Sequence, residues 1–183
     1  MAEHRDPRDA VPAAVRDTFT HPLDVLRAFA RDRLGPLLRD RLDALELRAV
    51  PDAPTTHNSV PLVRALHDSG RRVSVVSDAD TRAVQHYLDP YGLPLAGIHG
   101  RGTDLTLLTP HPDCLLRAMH SGGAAATGVL IGSTVAELTA ARQAGLRFVG
   151  LARNTTAGRQ LREAGCETTV TSLAPLLQAA RSL

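Results

Sequence analysis

The sequence predicts an α/β domain on a mostly parallel sheet, and three observations predict it. Short apolar segments alternate with helical ones over more than 100 residues of the second half, a pattern that argues for parallel strands covered by helices on both faces. The length of 183 residues fits one ordinary domain, and 43% hydrophobic content with 22% charge is enough to bury a sizeable core. The polar residues with chemical potential gather where the predicted strands end, which is where ligands bind in such folds.

Taken in order, residues 1 to about 18 are polar and broken by proline, so a loose arm is expected, with Val11 to Val15 able to dock. Pro22 suits the first turn of a helix in PLDVLRAFARDRL, where Leu23, Leu26, Ala30 and Leu34 share a face. Gly35-Pro36 ends it and opens a second helix, LLRDRLDALEL, so the two are expected to form a hairpin. After the PDAPTTHN loop, Ser59 reads as the N-cap of a helix ending at Gly70, and RRVSVVS follows as a short strand. The alternation then gives helix Asp80–Leu88, a strand near Ala96–His99, helix Pro112–Ser121, strand Val129–Ile131 and helix Val135–Ala144. Strand Phe148–Leu151, helix Thr156–Ala164, strand Thr168–Val170 and helix Leu173–Ala180 complete it. The expected organisation is an arm over 1–18, a helical hairpin and linker over 19–58, and an α/β core over 59–183.

Composition excludes several classes. All 21 basic residues are arginine, with no lysine, set against 19 acids for a formal charge of +2. No basic block stands out and aromatic residues make up only 3%, so neither nucleic acid nor a membrane surface is an expected partner. No apolar run approaches the ~20 residues of a membrane span. The N-terminal MAEHRDPRDA is too charged for a signal peptide, and Cys114 and Cys166 are too few for a disulfide framework. A cytoplasmic protein with free, buried thiols is expected.

The strand ends supply the candidate site: Ser77, Asp78 and Asp80; His99 and Arg101; Gly132, Ser133 and Thr134; Arg153 and Asn154. Asp78-Ala-Asp80 could bind a metal or perform acid–base work, although an aspartate there also makes a good helix N-cap. Thr134-Val-Ala-Glu137 reads as a capping box, and the backbone amides of Gly132-Ser133-Thr134 could equally hold an anion. None of the eight histidines pairs with another at a metal-ligand spacing, so no metal and no cofactor is expected. His99 follows a buried strand beside Arg101, where it could contact a ligand or make a loop hydrogen bond; His111 reads as the start of a helix. Arg101 and Arg153 could each bind an oxyanion bidentately or form surface salt bridges.

VSVVS followed by a helix, then HGRGTDLTLLTPHPDCLLRAM, then GVLIGSTVAELTAARQAGLRFVGLARN resembles the haloacid dehalogenase (HAD) superfamily of phosphohydrolases, over about Pro61 to Arg181. The preceding hairpin resembles part of the small helical cap many such enzymes carry. The resemblance implies a HAD-like Rossmannoid core and a chemistry in which an aspartate attacks phosphorus, a second aspartate two residues on acts as acid and base, and magnesium bridges carboxylates to phosphate. It also implies a serine or threonine bonded to the phosphoryl group, which Ser77 matches, and a lysine to balance charge. Thr109 in LLTPHP stands at the lysine position, Ser133 in IGST at the metal-binding aspartate, and the further acid survives as Glu137. Nothing before the hairpin reads as the nucleophile strand ending in Asp-x-Asp, which in the family supplies the middle of the sheet. Asp78-Ala-Asp80-Thr81 has the local shape of that motif, but it stands in the position of the second block.

The expectation is therefore a degenerate HAD-like protein that has lost metal-dependent phosphohydrolase chemistry. One reading makes it a metal-independent enzyme or small-molecule binder, for instance a cyclase, isomerase or dehydratase of bacterial specialised metabolism, with Asp78, Asp80 and His99 catalytic and Ser77, Arg101, Thr109, Ser133 and Thr134 binding a ligand at the strand ends. A second makes it a non-catalytic protein that stabilises a partner, and a third a weak magnesium-dependent phosphatase using Asp78 and Asp80. An incomplete sheet with unpaired edges invites association, so a homodimer or other homo-oligomer is expected.

Overall fold

The computed structural model describes residues 21–120 and 127–182, and the first helix among them is α1, Pro22–Ala28. Pro22 occupies its first turn and the His21 ring accepts a hydrogen bond from the Leu23 amide, two devices that satisfy a helix N-terminus. Helix α1 stops at Ala28 rather than running on to Leu34, because the chain turns at Phe29 before α2, Gly35–Ala49, starts with Pro36 in its first turn. Leu26 of α1 packs with Leu105 and Leu108, against Leu38 and Leu42 of α2, so the helical pair rests on the 105–108 segment.

Helix α3, Ser59–Asp68, places Ser59 inside the first turn; the N-cap is Asn58, in the left-handed conformation at φ 67° and with no side-chain cap bond. Ser59 is thus not the cap that the sequence suggested. Strand β1, Ser74–Asp80, runs three residues beyond the expected Ser77, and α4, Thr81–Leu88, starts only after Asp80. Strand β2, Gly97–Arg101, then leads through the loop to α5, Asp113–His120. Strand β3, Val129–Gly132, helix α6, Val135–Gln143, strand β4, Arg147–Leu151, helix α7, Thr155–Glu163, strand β5, Thr169–Val170, and helix α8, Ala174–Arg181, follow. Helices α6 and α7 end in the same way: Gly145 at φ 71° and Gly165 at φ 81° adopt the left-handed turn that closes a helix C-terminus, with Leu146 bonding back to Ala141 and Cys166 to Leu161. The N-terminal arm and residue 121, the expected end of α5, lie outside the described residues.

Among the described residues every strand pair is parallel, as the alternation predicts, and the strands fall into two sheets. One contains β1 and β2; the other has the order β3-β4-β5. Among the described residues β1 pairs only with β2, and β3 only with β4. The two pieces share a core: Val76 of β1 and Leu130 of β3 both pack on the cluster of Cys114, Leu115, Ala140 and Ala141 from α5 and α6. A second cluster joins Leu62 of α3 to Leu151, Leu173, Leu177 and Ala180, burying α8 against α3. Alternation along β3 turns Val129 and Ile131 away from Leu130, and they remain 48% and 37% exposed. Among the described residues no helix is long and apolar enough to cross a membrane.

Candidate functional site

The end of β1 is shaped by an irregularity. Val76 stands opposite His99 and Asp80 opposite Arg101, so three residues of β1 face one of β2. A bulge of this kind re-aims side chains. Ser77 stays local, its hydroxyl accepting from the Ala79 amide at 3.0 Å. The Asp78 carboxylate meets the loop after β2, where it accepts from the Thr109 amide at 3.2 Å and from the Thr109 hydroxyl. Thr109 precedes a cis peptide bond to Pro110.

A residue absent from the candidate set completes this cluster. Arg27 of α1 donates from Nε to the Thr109 carbonyl at 2.7 Å and from Nη2 to the Thr109 hydroxyl oxygen at 3.3 Å, and its Nη2 lies 3.7 Å from the Asp78 carboxylate. Its other branch holds Asp24 at 2.8 Å. A guanidinium from a helix early in the chain therefore reaches Thr109, the residue that stands in the sequence where the resemblance places a lysine. The sequence carried a signal for it: Arg27 lies four residues from Leu23 and three from Ala30 on the apolar stripe of that helix, an unusual place for a charge without a task.

Asp80 caps α4, accepting from the Ala83 amide at 3.3 Å, and pairs with Arg82. Arg101 is buried rather than on the surface: its side chain is 1% exposed and bonds Asp43 and Glu46 of α2, both at 2.6 Å. It also donates to the Asp78 carbonyl, and Glu46 in turn accepts from the Asp80 amide. Burial alone would lower the Arg101 pKa, but the hydrogen bonds and charges of Glu46 and Asp43 outweigh it and the net shift is upward. Asp43 and Glu46, an i, i+3 acid pair on one helix face, were also missing from the candidate set. Their spacing on the predicted hairpin was the available hint.

The His99 Nε2 atom is buried and has no hydrogen-bond partner among the described residues. Burial lowers its pKa first, and the nearby Arg117 charge lowers it further, so the ring is neutral around pH 7. His111 accepts from the Asp113 amide at 3.2 Å, at the start of α5, while Arg153 is exposed and Asn154 caps α7. Both cysteines are buried; burial, then the charge of Asp78, pushes the Cys114 thiol up to about 11, which makes it a poor nucleophile.

Ser133 and Thr134 lead into α6 and form the predicted capping box with Glu137. Glu137 Oε2 accepts from the Ser133 amide, the Thr134 amide and the Thr134 hydroxyl, each at 2.8 Å. These are the donors that could have held an external anion, and the chain's own carboxylate occupies them. A Cβ at Gly132 would crowd this turn, at 2.8 Å from the Phe148 ring and 3.1 Å from Glu137 Oε2. An open groove of about 440 Å³ beside this turn is lined by Thr134, Val135, Gln160, Leu161 and Glu163 among others, and by none of Asp78, His99 or Arg101.

Parallel strands wrapped by helices, with the polar groups of the chain collected at one set of strand ends, define a Rossmannoid α/β protein. More narrowly, the fold is HAD-like. It is similar to the crystal structure of a predicted phosphatase from Clostridium acetobutylicum, with 19% sequence identity and a TM-score of 0.72 over 93% of this chain and 82% of that one. It is also similar to a conserved haloacid dehalogenase-like protein of unknown function from Agrobacterium tumefaciens, at 19% identity and a TM-score of 0.51 over 86% of this chain and 84% of the other. No family model and no curated protein matches the sequence. At such identities the likeness is one of fold.

Proposed function

We propose that this HAD-like chain acts by binding a partner and does not itself hydrolyse phosphate esters. The observation that supports this best is the occupancy of the strand-end groups by one another: Glu137 fills the amide nest, Asp80 caps a helix, and Arg101 is neutralised by Asp43 and Glu46. The side chains of Asp78 and Asp80 are each 12% exposed and that of Arg27 31%.

The fold implies a magnesium ion, and the donors present do not fit one. Among the described residues no three His, Cys, Asp or Glu side chains converge into a set that could hold a metal. Asp78 is committed to Thr109 and Glu137 to backbone amides, while Ser133 is a neutral group where a metal site needs a carboxylate. The alternative of a weak phosphatase using Asp78 and Asp80 draws only on the likeness in fold to the Clostridium acetobutylicum protein, described as a predicted phosphatase. The Arg27–Thr109–Asp78 cluster supports a different second reading, a small-molecule site for metal-independent chemistry, with Asp78 as acid or base. Self-association as a homodimer belongs to the same proposal, because Leu34, Leu37 and Leu47 are exposed on and beside α2.

The deciding measurement is hydrolysis of p-nitrophenyl phosphate by the purified chain with and without magnesium, alongside Asp78→Asn and Asp80→Asn. No turnover in any sample is expected. Magnesium-dependent turnover abolished by both substitutions would replace this reading with the phosphatase.

A further inference from the structure

We propose that the outer stripe of α2 docks an acidic amphipathic helix of a separate protein. The proposal rests on the reading of the chain as a binding protein and names the partner's chemistry. Leu34, Leu37, Arg41, Ala44 and Arg48 follow one another at steps of three, four, three and four residues, the spacing of a seam along which two helices pack. All of them are exposed, Leu34 to 47% and Leu37 to 66%. The row Leu38, Leu42 and Glu46 lies on a different face of the same helix and turns to the body of the protein, the leucines onto Leu26, Leu105 and Leu108 and the glutamate onto Arg101. The seam is thus a second face of α2, left over after the first has been buried.

The charges on that face select its occupant. The acids of α2 are already engaged: Asp40 pairs with Arg39 at 2.7 Å, while Asp43 and Glu46 are held by Arg101. Arg41 and Arg48 stand in the seam with no carboxylate beside them among the described residues. A cation within a helix seam discriminates between partners, because it attracts a facing acid and repels a facing cation. A second copy brings the same two arginines, so a homodimer through α2 is a loose one that an acidic helix displaces. The partner that fits carries leucine opposite Leu34 and Leu37 and glutamate opposite Arg41 and Arg48. Arg101 already fixes α2 on the strand ends, so this side of the contact needs little further ordering.

The probe is a fluorescently labelled synthetic helix repeating Glu-Ala-Gln-Leu-Ala-Gln-Glu over about three heptads, added to the full chain, with a helix carrying Lys in place of every Glu as control. Fluorescence anisotropy is expected to show the acidic helix bound and the lysine helix free. Raising salt from about 0.05 M to about 0.5 M weakens the binding about tenfold, because the paired charges are exposed and screened. Arg41→Glu combined with Arg48→Glu costs the acidic helix about tenfold in affinity and lets the lysine helix bind, an exchange that a damaged fold would not produce. Arg162→Glu with Arg181→Glu, the same change of charge at exposed positions of α7 and α8, leaves the affinity as it was. The proposal is overturned if the acidic helix does not bind, if the lysine helix binds the parent chain equally well, or if binding survives the reversal of Arg41 and Arg48. A dimer in light scattering that the reversal alters and the acidic helix leaves intact would also overturn it, assigning the face to a second copy. Binding to phosphatidylglycerol vesicles in place of the helix would overturn it in favour of a lipid surface. Phosphatase turnover by the parent chain would defeat the functional reading while leaving the helix result to stand or fall separately.

Discussion

Glu137 occupies a position where a phosphate-binding protein would keep open donors, and its carboxylate has three of them. Removing the side chain should therefore do two opposite things. Glu137→Ala loses the return half of the capping box, at a cost of about 0.3–1.5 kcal/mol. The same variant exposes the Ser133 and Thr134 amides to solution anions. Thermal unfolding in rising sulfate is expected to stabilise Glu137→Ala more steeply than the parent chain at matched ionic strength, because sulfate binds only the folded nest; equal slopes would show that the carboxylate was not blocking an anion. His99 makes a second residue-scale prediction. Its folded pKa lies below the ordinary 6.5, so on acidification the unfolded chain takes up the proton first. The stability it contributes is present above pH 6.5 and is lost as pH falls through the folded value. Urea midpoints should decline between about pH 6.5 and 5, where carboxylates titrate little, and His99→Gln should flatten that decline.

Helix α2 is held to the ends of β1 and β2 by one buried guanidinium. Arg101 bridges Asp43 and Glu46, and Glu46 continues to the Asp80 amide, so the ion cluster sets where the helix sits over the strands. Arg101→Met leaves two partly buried carboxylates, 13% and 22% exposed, without their counter-charge, and a loss of about 1–3 kcal/mol is expected in urea unfolding. If Asp43→Asn and Glu46→Gln added to that variant restore most of the loss, the cost was electrostatic; if they do not, the arginine was needed for packing. The elements themselves were largely legible in the sequence, since helix periodicity, Pro22, Gly35-Pro36 and Gly70 mark boundaries by local physics alone. What local physics does not contain is the contact between distant elements. Arg27 meets Thr109 across 82 positions and Arg101 meets Glu46 across 55, so neither partnership could be read from spacing, although each residue's type hinted at an unmet need.

At the scale of the whole molecule, the parallel βα architecture followed from alternation, and the HAD-like fold from three ordered blocks whose comparison with solved structures agrees. The bulge over residues 77–79 could not have been anticipated in the same way, because strand register emerges only when two strands meet. The cap role of Asp80 was open to a local reading, whereas the reach of Asp78 to Thr109 beside this bulge was not, because it joins residues 31 positions apart.

The divided sheet also bears on how the polypeptide acquires its shape during synthesis. In an uninterrupted sheet the last strands to leave the ribosome must find edges already formed by the first. Here the β1–β2 ladder closes within residues 74–101 and the β3–β4–β5 ladder within residues 129–170, and no ladder links them among the described residues. Strand pairing in the leading half can finish while the trailing half is still being translated, leaving the docking of α5 on α6 and of α8 on α3 to join the two.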